Sequence, residues 1–457
     1  MHHKSSYPDG MIQKRENEMK ISVENIRGFE GVHVFPIRPI TILIGENSSG
    51  KTTLLGAIYA ALNRDFPSAE NLFNRAPFEM GSFDTIATYR GGKYGRAGFF
   101  SLGWERGSGE ATKSINATYK SYGGTPKLNS LIVRGMEGEL RAHAIQDGFE
   151  FEFKWSGRNQ SRRKNPSVKQ AQKIIKFKTE IKSTAPFRLL DVYRYYLESL
   201  NSKTLGTKGE GRNFEEVIEA LHELTFGVHR QRPHATALAP LRTRPRRTYD
   251  ELNEEFKPEG DHIPLVLARL LNEKQKKSGK ELDALMKYGV ASGLFEKIDV
   301  KRLGKQPSDP FQVRVKMKGP DANLIDVGYG VSQSLPIVID SIMAPDNEVL
   351  LVQQPEVHLH PKAQAALGTF FTELAATTSK QFIIETHSDY LVDRIRISVA
   401  EKKIPASKIQ LLYLERKGLD IKVHELSLDD SGNITNAPAS YRDFFLAEEL
   451  KLMSRAM

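Results

Sequence analysis

Cysteine is absent from this chain of 457 residues. Its absence excludes a disulfide framework and thiolate metal ligands, and it is typical of proteins from a reducing cytosol. No run approaches the ~18 consecutive apolar residues that a membrane-spanning helix needs. The stretch from Met1 to Lys20 is polar and lacks the apolar centre of a signal peptide. We therefore expect a cytoplasmic protein with no membrane partner.

Length and charge narrow the class of protein further. The chain is longer than one hydrophobic core usually organises, and its hydrophobic fraction of 39% is that of a globular protein, so we expect two or three lobes. The net charge of +10 favours nucleic acid or an acidic protein as a partner. A charged fraction of 27% also gives a well-solvated surface, so charge alone leaves DNA binding open.

Residues 40–56 read as an apolar strand, a glycine-bounded loop and the start of a helix. The loop fits the phosphate-loop pattern G-x-x-x-x-G-K-[ST] at every position. Its glycines allow the backbone amides to surround a phosphate, and the helix N-terminus adds partial positive charge. Lys51 is predicted to bridge the β- and γ-phosphates of ATP, and Thr52 to ligate Mg²⁺. The predicted nucleotide-binding residues are Gly45, Glu46, Asn47, Ser48, Ser49, Gly50, Lys51, Thr52 and Thr53.

Two later apolar strands end in polar residues. Residues 349–352 lead into Gln-Gln-Pro-Glu at 353–356, and residues 381–384 lead into Glu-Thr-His-Ser at 385–388. Ligands of α/β lobes bind at such strand ends, so both segments should converge on the phosphate loop. Upstream of them, glycines precede Ser332 at the start of an apolar helix, which predicts a second anion-binding helix terminus.

The middle of the chain has a different pattern. Short segments of period two between residues 96 and 185 predict a β-rich lobe of antiparallel strands. From 186 to 304 the period becomes helical, which predicts a helical insertion. Residues 1–18 are predicted to be a disordered leader, and residues 410–425 a closing hairpin with its turn at Lys417 and Gly418.

Four arginines occur within six residues of the predicted helical insertion, around Pro245. Guanidinium groups make planar two-pronged contacts with phosphates and carboxylates, so the cluster indicates a contact with DNA, another polyanion or an acidic partner. The alternative is an exposed basic loop without a partner. The four residues are Arg242, Arg244, Arg246 and Arg247.

The phosphate loop is followed by a Gly-x-Gly-x-Ser-Gln segment, a strand ending in Gln-Gln-Pro-Glu-x-x-Leu-His-Pro, and a strand ending in Thr-His-Ser. In this order, around a large insertion, the four motifs resemble the ABC-type ATPase heads of the OLD, RecF and SMC group. More narrowly, they resemble stand-alone ATPases of bacterial antiphage defence systems such as PARIS and Septu. The resemblance implies an α/β fold, a P-loop ABC-type ATPase head at residues 19–95 and 305–457 with a large β-plus-helical insertion.

The resemblance also implies roles for single residues. Ser332 would be the signature serine that contacts the γ-phosphate on an opposite protomer, and His387 the switch histidine. Gln353 stands where the group has an acidic metal-holding residue, and Gln354 where it has the Glu that polarises the attacking water. An amide can ligate Mg²⁺ or orient a water, but it is not a practical general base. We expect tight ATP binding with slow hydrolysis, or Glu356 as a substitute base.

Three functions remain in competition at this point. The leading hypothesis is an ATPase that forms a homo-oligomer, a dimer or a higher assembly of dimers, through composite ATP sites. It would act as a sensor or scaffold that controls a separate effector, predicted to be a nuclease, in bacterial antiviral defence. The basic charge favours instead a RecF-like or SMC-like DNA-binding ATPase of repair or recombination. The third hypothesis is a nucleotide-stabilised scaffold that never turns over.

Overall fold

The structure is a computed structural model. It describes residues 18–67, 71–146, 148–156, 172–179, 189–201, 214–250, 255–272, 279–306 and 309–441. The predicted leader, residues 1–18, lies outside this part of the chain except for Glu18. None of the helices in these ranges has both the length and the apolar character that a membrane span requires.

The described residues form nineteen strands, many of them in regions where β-branched and aromatic residues recur at every second position. In chain order they are β1 (Met19–Ile26), β2 (Phe29–Ile37), β3 (Ile40–Gly45), β4 (Asn74–Arg75), β5 (Phe78–Glu79), β6 (Phe100–Arg106), β7 (Lys113–Tyr122), β8 (Thr125–Gly135), β9 (Gly138–Ile145), β10 (Gly148–Ser156), β11 (Gln172–Thr179), β12 (Ala235–Leu238), β13 (Lys297–Arg302), β14 (Phe311–Lys316), β15 (Ala322–Asn323), β16 (Val349–Gln353), β17 (Gln381–Glu385), β18 (Ile409–Lys417) and β19 (Asp420–Leu426).

The same residues form nine α-helices, most of which carry one apolar face. They are α1 (Lys51–Leu62), α2 (Phe83–Ile86), α3 (Val192–Asn201), α4 (Phe214–Gln231), α5 (Ile263–Asn272), α6 (Gly279–Ser292), α7 (Tyr329–Met343), α8 (Pro361–Thr377) and α9 (Asp389–Ala400). Two of them begin with side-chain caps. Ser388 accepts a hydrogen bond from the backbone of Leu391, and His360 accepts one from that of Lys362, which satisfies free donors of the first turn.

The chain divides into two compact units. The first comprises the described residues within Met1–Ile37, Ala60–Arg75 and Met80–Pro233. It contains an antiparallel eight-stranded sheet in the order β11-β10-β9-β8-β7-β6-β1-β2. Alternate side chains of its strands are buried, as sheets with one solvated face require.

The second unit comprises the described residues within Arg38–Tyr59, Ala76–Glu79 and His234–Met457. Its central sheet has the order β12-β16-β17-β3-β18-β19, and every pair in it is parallel except β18 with β19. All five residues of β16 are buried, which is typical of parallel strands covered on both faces. A separate three-stranded sheet has the order β13-β14-β15.

The fold class is confirmed as α/β, and β18 and β19 form the predicted closing hairpin with their turn at Lys417 and Gly418. Helix α4 likewise lies in the segment of helical period, and it buries Val217, Leu221 and Leu224 as that period requires.

Strand pairing places two segments of the predicted domains in particular sheets. Strands β1 and β2, which lie within the predicted ATPase head, pair with each other, and β1 also pairs with β6 in the antiparallel sheet. The segment 186–304, predicted to be a helical insertion, contains β12, which pairs in parallel with β16 and extends the central sheet of the second unit. The sequence predicts no strand here, because β12 has only four residues, of which three are buried, and shows no period that marks a strand.

Candidate nucleotide-binding site

The phosphate loop follows β3 and lies at the carboxyl ends of the parallel strands, here called the carboxyl edge of the sheet. Strand β3 lies between β17 and β18, and its last residue, Gly45, is level with Leu414 of β18. The loop ends where α1 begins, at Lys51. A ligand at this edge therefore meets the N-terminus of α1, where free backbone donors and the helix dipole favour negative charge.

The two loop glycines adopt the backbone conformations for which the motif selects glycine. Gly45 has φ of +150° and Gly50 has φ of +96°. A Cβ at Gly45 would clash with the carbonyl oxygen of Leu414 and lie 2.7 Å from Ser49 Oγ. Between them, Glu46, Asn47 and Ser48 are exposed, whereas Ser49 is buried. The loop thus keeps an open face that a larger residue at position 45 would distort.

The Lys51 ammonium lies inside the loop and is 3% exposed. Its Nζ donates to the carbonyl oxygens of Gly45 at 2.8 Å and Glu46 at 2.7 Å. Burial lowers the pKa of Lys51, against the opposing effect of the Glu385, Glu356 and Glu46 carboxylates. The carbonyl contacts hold the amine at the centre of the loop, where the motif places the phosphate-binding charge.

Thr52, the predicted metal ligand, contacts a carboxylate from another strand. Its Oγ1 donates to both oxygens of Glu385, at 2.9 and 3.0 Å. Glu385 ends β17 and is 3% exposed. Burial raises its pKa, while the Thr52 hydrogen bond and the charge of Lys51 act in the opposite direction.

Gln353 and Gln354 follow the apolar part of β16. Gln353 is 4% exposed, and its Oε1 has no hydrogen-bond partner among the described residues. Gln354 has φ of +41°, and its backbone N–H donates to the Glu385 carbonyl oxygen at 2.8 Å. This bond ties the end of β16 to that of β17, beside the phosphate loop.

Glu356 holds the turn that contains the predicted switch histidine. Its Oε2 accepts from Thr386 Oγ1 at 2.8 Å, and its Oε1 accepts from the His387 backbone N–H at 2.7 Å. His387 lies at the surface, but its ring is partly buried, and this burial together with the charge of Lys51 lowers its pKa. Lowering favours the neutral imidazole at physiological pH.

Arg242 is buried and forms a hydrogen bond with the backbone at the end of β16. It is 6% exposed, and its Nη2 donates to the carbonyl oxygen of Gln353 at 3.0 Å. Burial lowers the pKa of Arg242 to about 10. The expectation that Arg242 forms part of a surface contact with a polyanion is wrong, because its guanidinium is enclosed at the site.

The other three arginines of the loop are exposed. Arg247 is paired with Asp326 through two hydrogen bonds of 3.0 and 2.6 Å. Asp326 immediately precedes the glycine-rich approach to α7, so this pair fixes the arginine loop against the signature segment. Arg244 and Arg246 lie at the surface.

Ser332 lies in the first turn of α7 and is 6% exposed. Its Oγ donates to the carbonyl oxygen of Tyr329 at 3.0 Å. The next residue reaches the site indirectly, since Gln333 Nε2 donates to the carbonyl oxygen of Arg242 at 3.4 Å. Within the described part of the chain no hydrogen bond joins Ser332, the predicted signature serine, to the phosphate loop.

The residues at this edge fit a nucleoside triphosphate with Mg²⁺. The open face at Gly45 and the α1 N-terminus suit a phosphate chain, and the Lys51 ammonium suits its charge. Mg²⁺ prefers oxygen ligands. The Thr52 hydroxyl, the Glu385 carboxylate and the unpartnered Gln353 Oε1 would supply such oxygens.

Residues 19–392 match a known family, the AAA ATPase domain. The chain belongs to this family. An AAA ATPase domain binds a nucleotide, and the phosphate loop is the site predicted for it. The four motifs predict an ABC-type ATPase of the OLD, RecF and SMC group, and this prediction is confirmed.

Individual relatives of this AAA ATPase domain are distant. An OLD nuclease of Thermus scotoductus is 22% identical over 423 residues, which cover 88% of this chain and 63% of that protein. The chain thus spans less than two thirds of the relative's length. The SMC head domain of Thermotoga maritima aligns with a TM-score of 0.39 and 10% identity, over 90% of this chain and 99% of that one. An Smc head domain of Pyrococcus furiosus aligns with a TM-score of 0.41 and 12% identity, over 95% and 99%.

Two residues of the AAA ATPase site were not assigned from the sequence. Glu385 has a visible signal, since it is the carboxylate at the end of an apolar strand next to the glutamine pair. Arg242 has none, because the density of arginines around Pro245 does not show which one turns inward. Strand order brings both residues to the site, because β12, which precedes Arg242, and β17, which ends at Glu385, lie side by side with β16 and β3 in one sheet.

We predict that Gly45→Ala weakens ATP binding by roughly tenfold or more, because strain of ~1–3 kcal/mol in the loop would come on top of the clash with Leu414. Gly319→Ala is the matched control, because Gly319 has φ of +145° and its added Cβ would meet no described atom within 4 Å. Titration with a fluorescent ATP analogue measures both affinities. Equal affinity in the two variants and the parent would contradict the role of Gly45.

Proposed function

We propose that the chain binds ATP with Mg²⁺ at the phosphate loop, hydrolyses it slowly, and uses it to join copies of itself. The observation that carries this proposal is that Thr52 of the phosphate loop bonds to Glu385 at the end of β17. Glu385 pairs with Gln353, the first residue of the neutral pair Gln353 and Gln354 at the end of β16. The metal, when bound, would offset charge on the phosphates. The protein positions the phosphates and a water, which is most of the catalysis in phosphoryl transfer.

The rate follows from the side chains near the γ-phosphate position. The Gln354 amide can orient a water but does not accept its proton at neutral pH. The nearby Glu356 is engaged at both oxygens by Thr386 and His387. We therefore assign Glu356 to holding the switch histidine rather than to proton transfer, and we propose that turnover is slow because the usual base is an amide.

Assembly is proposed from the position of Ser332. A signature serine contacts the γ-phosphate in this group of ATPases, and in this chain Ser332 bonds to its own helix. A second copy, related by two-fold symmetry, would present its Ser332 to the nucleotide of the first copy. The homo-oligomer would then be a dimer, or a higher assembly of dimers, held together by two composite ATP sites.

We further propose that the assembly acts as a sensor or scaffold for a separate effector in bacterial antiviral defence, and that the effector is a nuclease. The support is the resemblance to antiphage ATPases and the relative named OLD nuclease. Within the described ranges, moreover, no group of three or more His, Cys, Asp or Glu residues is arranged to hold a metal ion, as a metal-dependent nuclease centre would require.

The alternative is a RecF-like or SMC-like ATPase that acts on DNA directly. The net charge of +10 and the exposed Arg244 and Arg246 favour it. Arg242, however, is enclosed and Arg247 is paired with Asp326, so the loop does not present all four guanidinium groups to a polyanion. The nucleotide-dependent assembly therefore has the stronger support.

We predict that Gln354→Glu accelerates ATP hydrolysis, because a placed general base contributes about 10² to 10⁴-fold. The companion variant Glu356→Gln should retain the slow parental rate within a few-fold. Single-turnover hydrolysis of radiolabelled ATP measures both. No acceleration by Gln354→Glu, with loss of turnover in Glu356→Gln, would show that Glu356 is the base. Binding without hydrolysis in all three proteins would favour the scaffold that never turns over.

We predict that Ser332→Ala abolishes the increase in mass that ATP causes in the parent protein, because each composite site loses a γ-phosphate contact. ATP binding to the single chain should persist. Ser334→Ala is the matched control, since Ser334 lies on the same helix and its Oγ makes the same kind of bond, to Val331 at 3.1 Å. Light scattering with and without ATP gives the mass. An unchanged ATP-dependent mass in Ser332→Ala would refute the composite site.

A further inference from the structure

The hydrogen bond between Thr52 and Glu385 joins the predicted Mg²⁺ ligand of the phosphate loop to a carboxylate. In phosphate-loop NTPases the Mg²⁺ ion is held by the loop Ser or Thr together with an acidic residue, whose place the resemblance gives to Gln353. Strand β16 ends here in two neutral amides, Gln353 and Gln354. The carboxylate that contacts the loop hydroxyl belongs instead to β17.

Strand register explains how one side chain can take the place of the other. Gln353 and Glu385 are direct partners in the parallel pairing of β16 with β17. Residues at the same register on neighbouring strands point to the same face of a sheet. The carboxylate is therefore displaced sideways by one strand, a spacing of about 5 Å, and still reaches Thr52.

We propose that Glu385 supplies the acidic group of the Mg²⁺ site in place of Gln353, and that Thr52 Oγ1 and Gln353 Oε1 complete the oxygen set of the protein. The proposal rests on the proposed function, in which Mg²⁺ accompanies ATP. One carboxylate with neutral oxygens suits Mg²⁺, which is usually bound by one or two carboxylates together with phosphates and waters. The buried Gln353 Oε1, which has no partner among the described residues, gains one in the metal.

A purely structural reading of Glu385 makes a different prediction. If the carboxylate serves only to fix the Thr52 hydroxyl, its loss would weaken ATP binding whether or not Mg²⁺ is present. A metal ligand affects only the part of the affinity that depends on Mg²⁺. The ratio of ATP affinity in Mg²⁺ to that in EDTA, here called the magnesium enhancement, separates the two readings.

The test measures the magnesium enhancement with a fluorescent ATP analogue in the full chain. Glu385→Gln should reduce the enhancement by roughly tenfold or more, while affinity in EDTA stays within about twofold of the parent. The double variant Gln353→Glu with Glu385→Gln returns the carboxylate to β16 and should recover most of the enhancement. Glu348→Gln is the control, because Glu348 is an equally buried carboxylate that accepts from His234 and lies next to the opposite end of β16.

Mn²⁺ gives a readout that does not depend on turnover. Its electron paramagnetic resonance spectrum, in the presence of ATP, should show bound Mn²⁺ in the parent and the double variant and weaker binding in Glu385→Gln. Full enhancement in Glu385→Gln, or no recovery in the double variant with its fold intact by thermal unfolding, would overturn the proposal. Failure of the parent to bind ATP at all would refute the proposed function instead.

Discussion

Parallel pairing of β3 with β17 on one side and β18 on the other is the constraint on which the site depends. Parallel strands that share an edge deliver their carboxyl ends to one place, so residues more than three hundred positions apart in the chain meet there. The phosphate loop follows β3, and the switch turn follows β17. The hairpin adds Arg416, whose Nη1 donates to the Ser48 carbonyl oxygen at 3.0 Å and supports the loop from the third strand.

The charged groups at this edge leave the Lys51 ammonium as the cation that a polyphosphate would contact. The Lys51 ammonium is buried among backbone carbonyls, and the carboxylates of Glu385, Glu356 and Glu46 lie close enough to affect its pKa. Glu356 accepts from the switch turn and Glu385 from Thr52, so each acid fixes one part of the site. Arg242 donates a hydrogen bond to the backbone carbonyl oxygen of Gln353 at the end of β16. We propose that the neutral pair at the end of β16 makes the protein better suited to hold a triphosphate than to cleave it.

Sequence reasoning could predict what short-range patterns determine. Each of these segments spans fewer than twenty consecutive residues: the phosphate loop, the two polar strand ends and the hairpin. In the structure the loop and both strand ends lie at the carboxyl ends of parallel strands, and β18 and β19 form the hairpin. Lateral strand order was harder to predict. The sequence gives no local sign that β1 and β2 join the antiparallel sheet, that the four residues of β12 lie beside β16, or that Arg242 turns inward. These outcomes depend on pairing and burial between distant segments, which also decide that Glu385 meets Thr52.

Binding of ATP to Lys51 is the central claim, and the most direct measurement of it is the affinity of Lys51→Ala for ATP by isothermal titration calorimetry. We expect a loss of about tenfold or more relative to the parent, since a charge-assisted hydrogen bond contributes ~1.5–3 kcal/mol. Lys403→Ala, a change at an exposed lysine of the same unit, should bind like the parent. Parental affinity in Lys51→Ala would contradict the account, because the phosphate loop would then not be the nucleotide site.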